Sequence, residues 1–205
     1  MIKKLLIIIC MFLLVGCTTN NINTMSLEDI VNDSIKQKSD LYNINGKGYK
    51  YYLPTEFTLY MEDDYVQELL SHSTKYYLNI DIVSYYYKTN MKTEHDFDDY
   101  EYFTFKNDDL NGYLRIRKNN DYFFVELCYN YAIIEVEVKE SELRYAISRS
   151  IAILKSIKYN DLVIEKYISD NDLDSSETVY KIPEPKNKDE SRNILQYIEE
   201  YEESN

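Results

Sequence analysis

Few side chains in this 205-residue sequence could carry out nucleophilic catalysis. Histidine, the commonest general base, occurs only at His72 and His95. Serines are numerous, but none lies in the Gly-x-Ser-x-Gly pattern of a nucleophile elbow. Strand alternation places Cys128 beside Ile133, away from the predicted core. The sequence therefore predicts a half-buried thiol at Cys128 and no catalytic constellation.

Two acidic segments offer oxygen ligands for hard cations. The run EHDFDD, Glu94 to Asp99, has one imidazole and several carboxylates, but zinc favours more nitrogen or sulfur ligands at defined spacing. In DNDLDSSE, which starts at Asp170, acids alternate as in calcium loops. The EF-hand pattern then needs glycine and glutamate where this chain has Ser175 and Lys181. We therefore expect no metal and no other cofactor.

One predicted strand carries two arginines on the same face. Arg115 and Arg117 are two residues apart, so alternation points both away from the core. An arginine face with aromatic neighbours suits an anionic partner or a peptide. Internal charge balance is the alternative, because Glu126, Glu135 and Glu137 are expected on that face. The predicted partner-binding residues are Arg115, Arg117, Tyr113, Tyr122 and Phe124.

A different kind of chemistry is indicated at Cys17. Lys3 and Lys4 precede an uncharged run, Leu5 to Gly16, that is shorter than the roughly 20 residues of a bilayer-spanning helix. A positive start followed by a short apolar segment is typical of a secretory signal peptide. The small residue Gly16 comes directly before the cysteine.

The segment Leu14-Val15-Gly16-Cys17 resembles the lipobox of bacterial lipoproteins. The resemblance implies that the Cys17 thiol receives a diacylglyceryl group and that residues 1–16 are removed as a signal peptide. Two acyl chains hold a protein stably, at about 0.8 kcal/mol for each buried methylene. We expect a lipid anchor on the extracytoplasmic face of the cell membrane, detectable by palmitate labelling. An uncleaved short anchor and a secreted protein with an incidental cysteine are the alternatives.

The composition is acidic and rich in tyrosine. There are 36 Asp and Glu against 23 Lys and Arg, and loss of Lys3 and Lys4 with the signal peptide would change the formal charge from −13 to −15. Such a chain repels nucleic acid and anionic lipid headgroups. The 23 tyrosines could bind sugars or peptides, although an AT-rich coding sequence would also produce them. Only Cys128 remains after processing at Cys17, so no intrachain disulfide is expected.

Apolar spacing predicts the elements around these residues. Ser26, with Asp29 in a capping-box-like position, begins a helix that we expect to reach Asp40. YKYYLP and EFTLYM are typical of strands. DDYVQELLSHS is compatible with one or two helical turns. YYLNIDIVSYYY predicts a strand in which Ile82 continues the alternation, and Glu94 to Glu101 is expected to be a loop.

The segment GYLRIRKNNDYFFVELCYNYAIIEVEVK predicts a three-stranded antiparallel meander. Asn119-Asn120 and Asn130-Tyr131 are candidate two-residue turns, because asparagine tolerates the positive φ that such turns require. The first turn would set Ile116 opposite Phe123, and the second would set Phe123 opposite Val138. Both turns bury the same residues, and a one-residue slip in either would expose apolar side chains.

A helix is expected after the meander, followed by an acidic extension. A stripe of apolar residues, with Ser141 as cap, should pack across the meander; its members are Leu143, Ile147, Ile151 and Leu154. Residues 160–205 hold 13 acids and five bases. Within them LVIEKYI and TVYKIP could be short strands, and DESRNILQYIEEYEE predicts a terminal amphipathic helix.

The order of YKYYLPTEF, paired long strands and the helix RSIAILKSIKY resembles the PsbP/Mog1-like α/β sandwich. The resemblance spans about Tyr49 to Tyr159, and the tail after Asn160 departs from it. It implies an antiparallel sheet flanked by helices and a binding or assembly role without catalysis.

The sequence as a whole predicts an α+β fold, with an antiparallel meander flanked by helices. The expected organisation is a signal peptide (1–16), a lipidated tether (17–25), an α+β domain (26–159) and an acidic extension (160–205). We expect a non-catalytic, membrane-anchored surface lipoprotein that binds or stabilises a protein partner at the cell envelope. The alternatives are a module that binds cell-wall glycan or peptide, and a metal-dependent hydrolase that uses His95 and nearby acids.

Overall fold

The computed structural model describes residues 22–37, 40–89, 91 and 95–171. The predicted signal peptide, Cys17, the strand TVYKIP and the terminal helix lie outside the described residues. No helix among the described residues is both long enough and apolar enough to span a bilayer.

The described chain belongs to the α+β class, as the sequence predicts. A 3₁₀ turn (Ile22–Thr24) precedes four helices: α1 (Leu27–Lys36), α2 (Ile82–Tyr87), α3 (Glu140–Ser156) and α4 (Asp161–Asn171). The strands are β1 (Ile44–Asn45), β2 (Tyr49–Tyr51), β3 (Phe57–Glu62), β4 (Val66–Ser71), β5 (Thr74–Ile80), β6 (Asp99–Asn107), β7 (Leu110–Asn119), β8 (Tyr122–Tyr129), β9 (Ala132–Lys139) and β10 (Lys158–Tyr159).

A seven-stranded antiparallel sheet dominates the fold, in the order β3-β4-β5-β9-β8-β7-β6. The predicted meander is strands β7, β8 and β9. Strands β1, β2 and β10 form a separate three-stranded sheet. A buried hydrogen-bond network connects the two sheets, because Gln67 on β4 accepts from the Tyr51 hydroxyl at 2.6 Å and donates to the Tyr49 hydroxyl at 2.9 Å.

The second predicted turn is confirmed. Asn130 and Tyr131 have φ values of 54° and 57°, and Phe123 pairs with Val138. A two-residue hairpin turn of type I′ requires positive φ at both central residues, and Asn130 and Tyr131 meet this requirement. The register of β8 against β9 is therefore the one that the sequence predicts.

The first predicted turn is wrong by one residue. Asn119 stays in β7 and Asn120 takes the positive φ of 54°, so Ile116 pairs with Val125 instead of Phe123. The change moves the pairing by two positions along β8. Because side chains alternate with a period of two, the same residues still face the core.

Helix α3 packs on β8 and β9 along the predicted stripe. Leu143, Ile147, Ile151 and Leu154 are all buried. The predicted cap is wrong: Lys139 is the N-cap residue without a side-chain cap bond, and Ser141 lies inside the first turn.

Helix α1 packs against α3 and begins as predicted. The Asp29 amide donates to Ser26 Oγ at 3.1 Å, and Ser26 Oγ donates to the Asp29 carboxylate at 2.6 Å. The helix ends at Lys36 and does not reach Asp40, because the chain becomes extended at Gln37.

Three strand and helix predictions are corrected by the structure. DDYVQELLSHS contributes strand β4, whose alternating burial suits a sheet and not a helix. Strand β6 begins at Asp99, inside the predicted loop. Ile82 opens helix α2 and does not continue β5, because the Asp81 carboxylate caps the helix by accepting from the Ser84 amide at 2.8 Å.

Two terminal segments differ from their predictions. LVIEKYI is helical within α4, not a strand, and buries Ile164 and Ile168 four residues apart. At the other end of the domain, Ile22 and Met25 of the predicted tether pack against the core.

Candidate functional site

The seven-stranded sheet has two chemically different faces. The inner face is covered by α1 and α3 and carries the apolar residues of the meander. We define the outer face as the opposite side of the sheet, on the five neighbouring strands β5, β9, β8, β7 and β6. Its members are Lys75, Tyr77 and Asn79; Asp99 and Tyr102; Tyr113, Arg115 and Arg117; Tyr122, Phe124, Glu126 and Cys128; and Ile133, Glu135 and Glu137.

Arg115, a predicted site residue, is engaged within the chain. Its Nε donates to Asp99 Oδ1 at 2.7 Å, and only 15% of its side chain is exposed. Burial alone would raise the pKa of Asp99. Hydrogen bonds from Arg115, the Asp96 amide and His95 instead hold that pKa below its ordinary value. Arg115 is thus balanced within the chain, as in the alternative that the sequence leaves open, but its hydrogen-bonded partner is Asp99 and not one of the expected glutamates.

Arg117 is exposed and lies on an aromatic neighbour. Its guanidinium carbon is 4.8 Å from the centroid of the Phe124 ring, and Phe124 is its direct cross-strand partner on β8. Tyr122, two residues from Phe124, is half-buried, and the centroid of its ring lies 5.9 Å from Lys139 Nζ. The structure therefore brings Arg117, Tyr122 and Phe124 together on one accessible part of the outer face.

Tyr113 is buried and cannot present its ring to a partner. Its hydroxyl donates to Glu126 Oε1 at 2.8 Å, across β7 and β8. Burial first, and then the neighbouring Glu126 carboxylate, raise the pKa of Tyr113. Tyr113 therefore remains a phenol that orients the Glu126 carboxylate.

A carboxyl pair lies at the centre of the outer face. Glu126 on β8 is directly opposite Glu135 on β9, where side chains are about 5 Å apart at Cβ. Glu135 is only 7% exposed. Burial first, and the Glu126 charge second, raise the pKa of Glu135 to about 7, against a smaller opposing influence of Arg117.

One amide oxygen on the outer face lacks the hydrogen bond that burial normally requires. Asn79 lies on β5, diagonal to Glu135 on the neighbouring strand β9, and its Oδ1 atom is buried without a hydrogen bond from the described residues. Buried polar atoms are nearly always satisfied, so this oxygen is an exception among the described residues.

The two histidines do not form a catalytic arrangement with each other or with Cys128. His95 Nδ1 is 3.1 Å from Asp99 Oδ2, and its ring stacks on Tyr102. His72 lies in the turn between β4 and β5, where its Nδ1 is 3.4 Å from the Oγ of its neighbour Ser71. Among the described residues, no three His, Cys, Asp or Glu side chains are arranged to hold a metal ion.

Cys128 is buried, and the prediction of a half-buried thiol is wrong. It is 2% exposed, because Met91 covers this end of the outer face with its Sδ 3.9 Å from Cys128 Sγ. Burial raises the pKa of Cys128, so the thiol stays protonated. A cavity beside it holds about 20 Å³, room for roughly one water molecule.

The pairing of Glu126 with Glu135 could be predicted from the sequence, but the burial of Glu135 could not. The predicted turn at Asn130-Tyr131 already places Glu126 opposite Glu135. Whether Glu135 is solvated depends on β5, which pairs with the far side of β9 and sets Tyr77 beside Glu135. That pairing joins segments about 55 residues apart, and no local pattern encodes it.

Comparisons of the chain with protein-family models, curated proteins and solved structures find no match. The resemblances to bacterial lipoproteins and to the PsbP/Mog1-like sandwich stay predictions.

Proposed function

We propose that this chain is a lipid-anchored, non-catalytic extracytoplasmic domain that binds a protein partner through the outer face of its sheet. The observation that carries the binding role is the accessible group formed by Arg117, Tyr122 and Phe124, with Tyr77 40% exposed on β5. Arginine and aromatic residues are enriched at the centres of protein interfaces. Here they lie on a rigid sheet whose other face is packed, which suits recognition.

The anchoring role rests on the N-terminal sequence. Lys3 and Lys4, the short apolar run and Gly16-Cys17 agree with a lipidated precursor. The formal net charge of −13 makes adhesion to anionic headgroups unfavourable, so a covalent lipid is the more reasonable attachment.

The experiment is a partner capture at the cell surface with charge reversal on the outer face. Arg117→Glu combined with Phe124→Ser should reduce the recovery of crosslinked partner at least tenfold, because it removes a guanidinium and the ring beneath it. Arg115 is left intact, since its substitution would break the Asp99 contact and confuse folding with binding.

Lys36→Glu is the matched control. It reverses one exposed charge at the end of α1, on the helix side of the domain, and should leave capture unchanged. Equal capture by the outer-face double variant and the wild-type chain, at equal surface abundance, would refute the binding role.

A further inference from the structure

Strand β6 is one edge of the seven-stranded sheet, and part of its main chain points away from the sheet. It joins β7 through the two-residue turn Asp108-Asp109, so Asn107 and Leu110 form the closing hydrogen-bonded pair. Counted back from that pair, Thr104 and Lys106 are non-hydrogen-bonded positions, whose N–H and C=O groups face outward. The described part of the chain supplies no hydrogen bond to the main chain of either residue.

The two edges of the sheet differ in how well they could accept another strand. The opposite edge, β3, has a bulge between Leu59 and Met61 that interrupts regular pairing. In β6 the irregularity lies at the start, between Asp99 and Glu101, and the strand then pairs regularly with β7 as far as Asn107. A regular, unpaired edge is a template for the addition of a strand. In the described part of the fold, β6 is therefore the better edge for such an addition.

We propose that β6 pairs with β6 of a second copy of this chain, antiparallel about a two-fold axis at Thr104, so that the two sheets become one continuous sheet. In this register the two Thr104 residues exchange main-chain hydrogen bonds. Phe103 lies opposite Phe105 and Tyr102 opposite Lys106, and each of these pairs occurs twice because the interface is isologous.

The side chains of β6 complement one another in this register. Phe103 is half-buried in the single chain and would meet Phe105 in a non-hydrogen-bonded pair, where side chains on neighbouring strands lie closest. Lys106 is exposed on the outer face, and its ammonium group would lie beside the Tyr102 ring, which is on the same face. Aromatic pairs and pairs of a cation with a ring stabilise neighbouring strands.

Other positions of the two-fold axis give poorer pairs. An axis at Phe103 would set the Glu101 carboxylate opposite the buried Phe105 ring, and an axis at Phe105 would set Phe103 opposite Asn107. An axis at Lys106 would set two ammonium groups opposite each other, and like charges in that position destabilise a strand pair. Of these registers, only the one centred on Thr104 gives both phenylalanines an aromatic partner.

The net charge of the chain does not exclude this contact. The formal charge of −13 opposes self-association in general. The paired segment, Glu101 to Asn107, nevertheless contains one acid and one base, and Asp99 beside it is bound to Arg115. The edge is therefore locally balanced, and repulsion between more distant charges is screened beyond about 10 Å at 0.1 M salt.

Attachment to a membrane would favour the pairing of two copies. The two-fold axis is perpendicular to the sheet, so α1 and α3 of both copies lie on the same side of the joined sheet. Met25, at the entry to the domain, is held to that side by its hydrogen bond from Arg144. With the proposed lipid on Cys17, both anchors would reach one bilayer, and confinement there raises the effective concentration of the second copy. Only this step rests on the proposed function.

Disulfide trapping of the full chain in cell membranes tests the register. Thr104→Cys places the two thiols on the axis, at residues whose Cα atoms are about 5.5 Å apart in a hydrogen-bonded pair, within the range of a disulfide. After mild oxidation with copper phenanthroline, non-reducing gels should show at least ~5-fold more disulfide-linked dimer than for Thr58→Cys, the same substitution on the other edge. The wild-type chain gives the baseline, because Cys128 is only 2% exposed.

A proline substitution tests the main-chain contact without disturbing the rest of the sheet. Thr104→Pro removes an N–H that faces away from β7, and proline is tolerated at such edge positions. Sedimentation of the full chain in neutral detergent micelles should show the dimer dissociation constant raised at least ~10-fold, because two main-chain hydrogen bonds are lost. Urea unfolding of the same variant shows whether the domain is still folded.

A charge reversal provides a second test that does not depend on the proline variant. Lys106→Glu should weaken dimerisation roughly fivefold, because its contact with Tyr102 is made twice. Lys166→Glu is the matched control, since it reverses an exposed charge on α4, outside the proposed interface, and should dimerise as the wild-type chain does.

The outcomes decide between a second copy and other occupants of the edge. A disulfide from Thr104→Cys to a different protein, with no dimer of this chain, would overturn the proposal. Equal trapping at Thr58→Cys, or wild-type dimerisation by a folded Thr104→Pro variant and by Lys106→Glu, would also overturn it. Arg117→Glu combined with Phe124→Ser should still dimerise, so that failure of partner capture and failure of dimerisation are distinguishable.

Discussion

At the residue scale, the outer face contains two opposite solutions to the burial of charge. Arg115 and Asp99 neutralise each other through a 2.7 Å hydrogen bond. Glu135 instead faces another carboxyl, and burial raises its pKa to about 7. The first arrangement stabilises the fold over the physiological pH range, whereas the second weakens it as the carboxyl ionises. The two can be distinguished by the pH dependence of stability.

Glu135→Gln should make the protein more stable at high pH. The pKa of Glu135 is higher in the folded chain, about 7, than the ordinary value of 4.5, so the folded state prefers the protonated form. The wild-type chain therefore loses stability as pH rises from 4.5 to 7, by about 3 kcal/mol from this group. Urea unfolding should show the Gln variant more stable than wild type at pH 8 and nearly equal to it at pH 4. A difference that is the same at both pH values would contradict this assignment.

Arg115→Met should have the opposite pH signature. The substitution leaves Asp99 without its main cationic partner and should lower the free energy of unfolding by about 2 kcal/mol at neutral pH. The pKa of Asp99 is depressed in the folded chain, so this contribution is present above its ordinary pKa of 3.8 and is lost as pH falls through the folded pKa. Chemical unfolding over that pH range measures it, and Arg115→Lys should retain part of the stability.

At the element scale, the meander was predictable because local and non-local signals agree. Asn130 supplies the turn conformation, and the apolar alternation of Phe123 with Val138 fixes the same register. The stripe on α3 was predictable for the same reason. The Asn119-Asn120 turn was misplaced because adjacent asparagines offer two equivalent positions for positive φ, and alternation cannot separate them.

The remaining elements depend on contacts that a local pattern does not contain. Val66 to Ser71 has an apolar content that suits either a short helix or a strand, and pairing with β3 and β5 decides for the strand. Ile82 continues the alternation of β5, but the Asp81 cap starts a helix there. At the site, the outer-face residues of β7, β8 and β9 were predictable from alternation. Asp99 was expected in a loop, and neither the burial of Tyr113 nor the Asp99 contact of Arg115 was predictable.

Asn130 should stabilise the β8–β9 turn in two separable ways. Its Nδ2 donates to the Leu154 and Ile157 carbonyl oxygens at 3.3 and 2.8 Å, which holds the end of α3, and its φ is 54°. Asn130→Gly keeps the φ and loses the bonds, and should cost about 2 kcal/mol. Asn130→Ala also adds strain of about 1 kcal/mol, so it should cost about 3 kcal/mol. Thermal or urea unfolding measures both, and an equal cost for the two variants would remove the conformational part.

At the scale of the whole molecule, charge and attachment are linked. A chain with formal net charge −13 gains nothing from anionic headgroups, so attachment through a lipid should not depend on salt. We predict that the wild-type chain takes up labelled palmitate and stays with membranes in 1 M salt, on the order of ten times the ionic strength at which surface charges are already screened. Cys17→Ala should lose the label and be released. Label retained by the alanine variant would show that the modified residue lies elsewhere.

The point where the chain enters the domain also has a consequence for orientation. Arg144 Nε on α3 donates to the Met25 carbonyl oxygen at 3.1 Å, which fixes the first residues of the domain to the helix side. A lipid on Cys17 would have at most about 18 Å of extended chain before Ile22. Such a short tether would keep α1 and α3 next to the bilayer and turn the outer face away from it, so that a partner approaching from the cell exterior would reach Glu135 and Arg117 before α1 or α3.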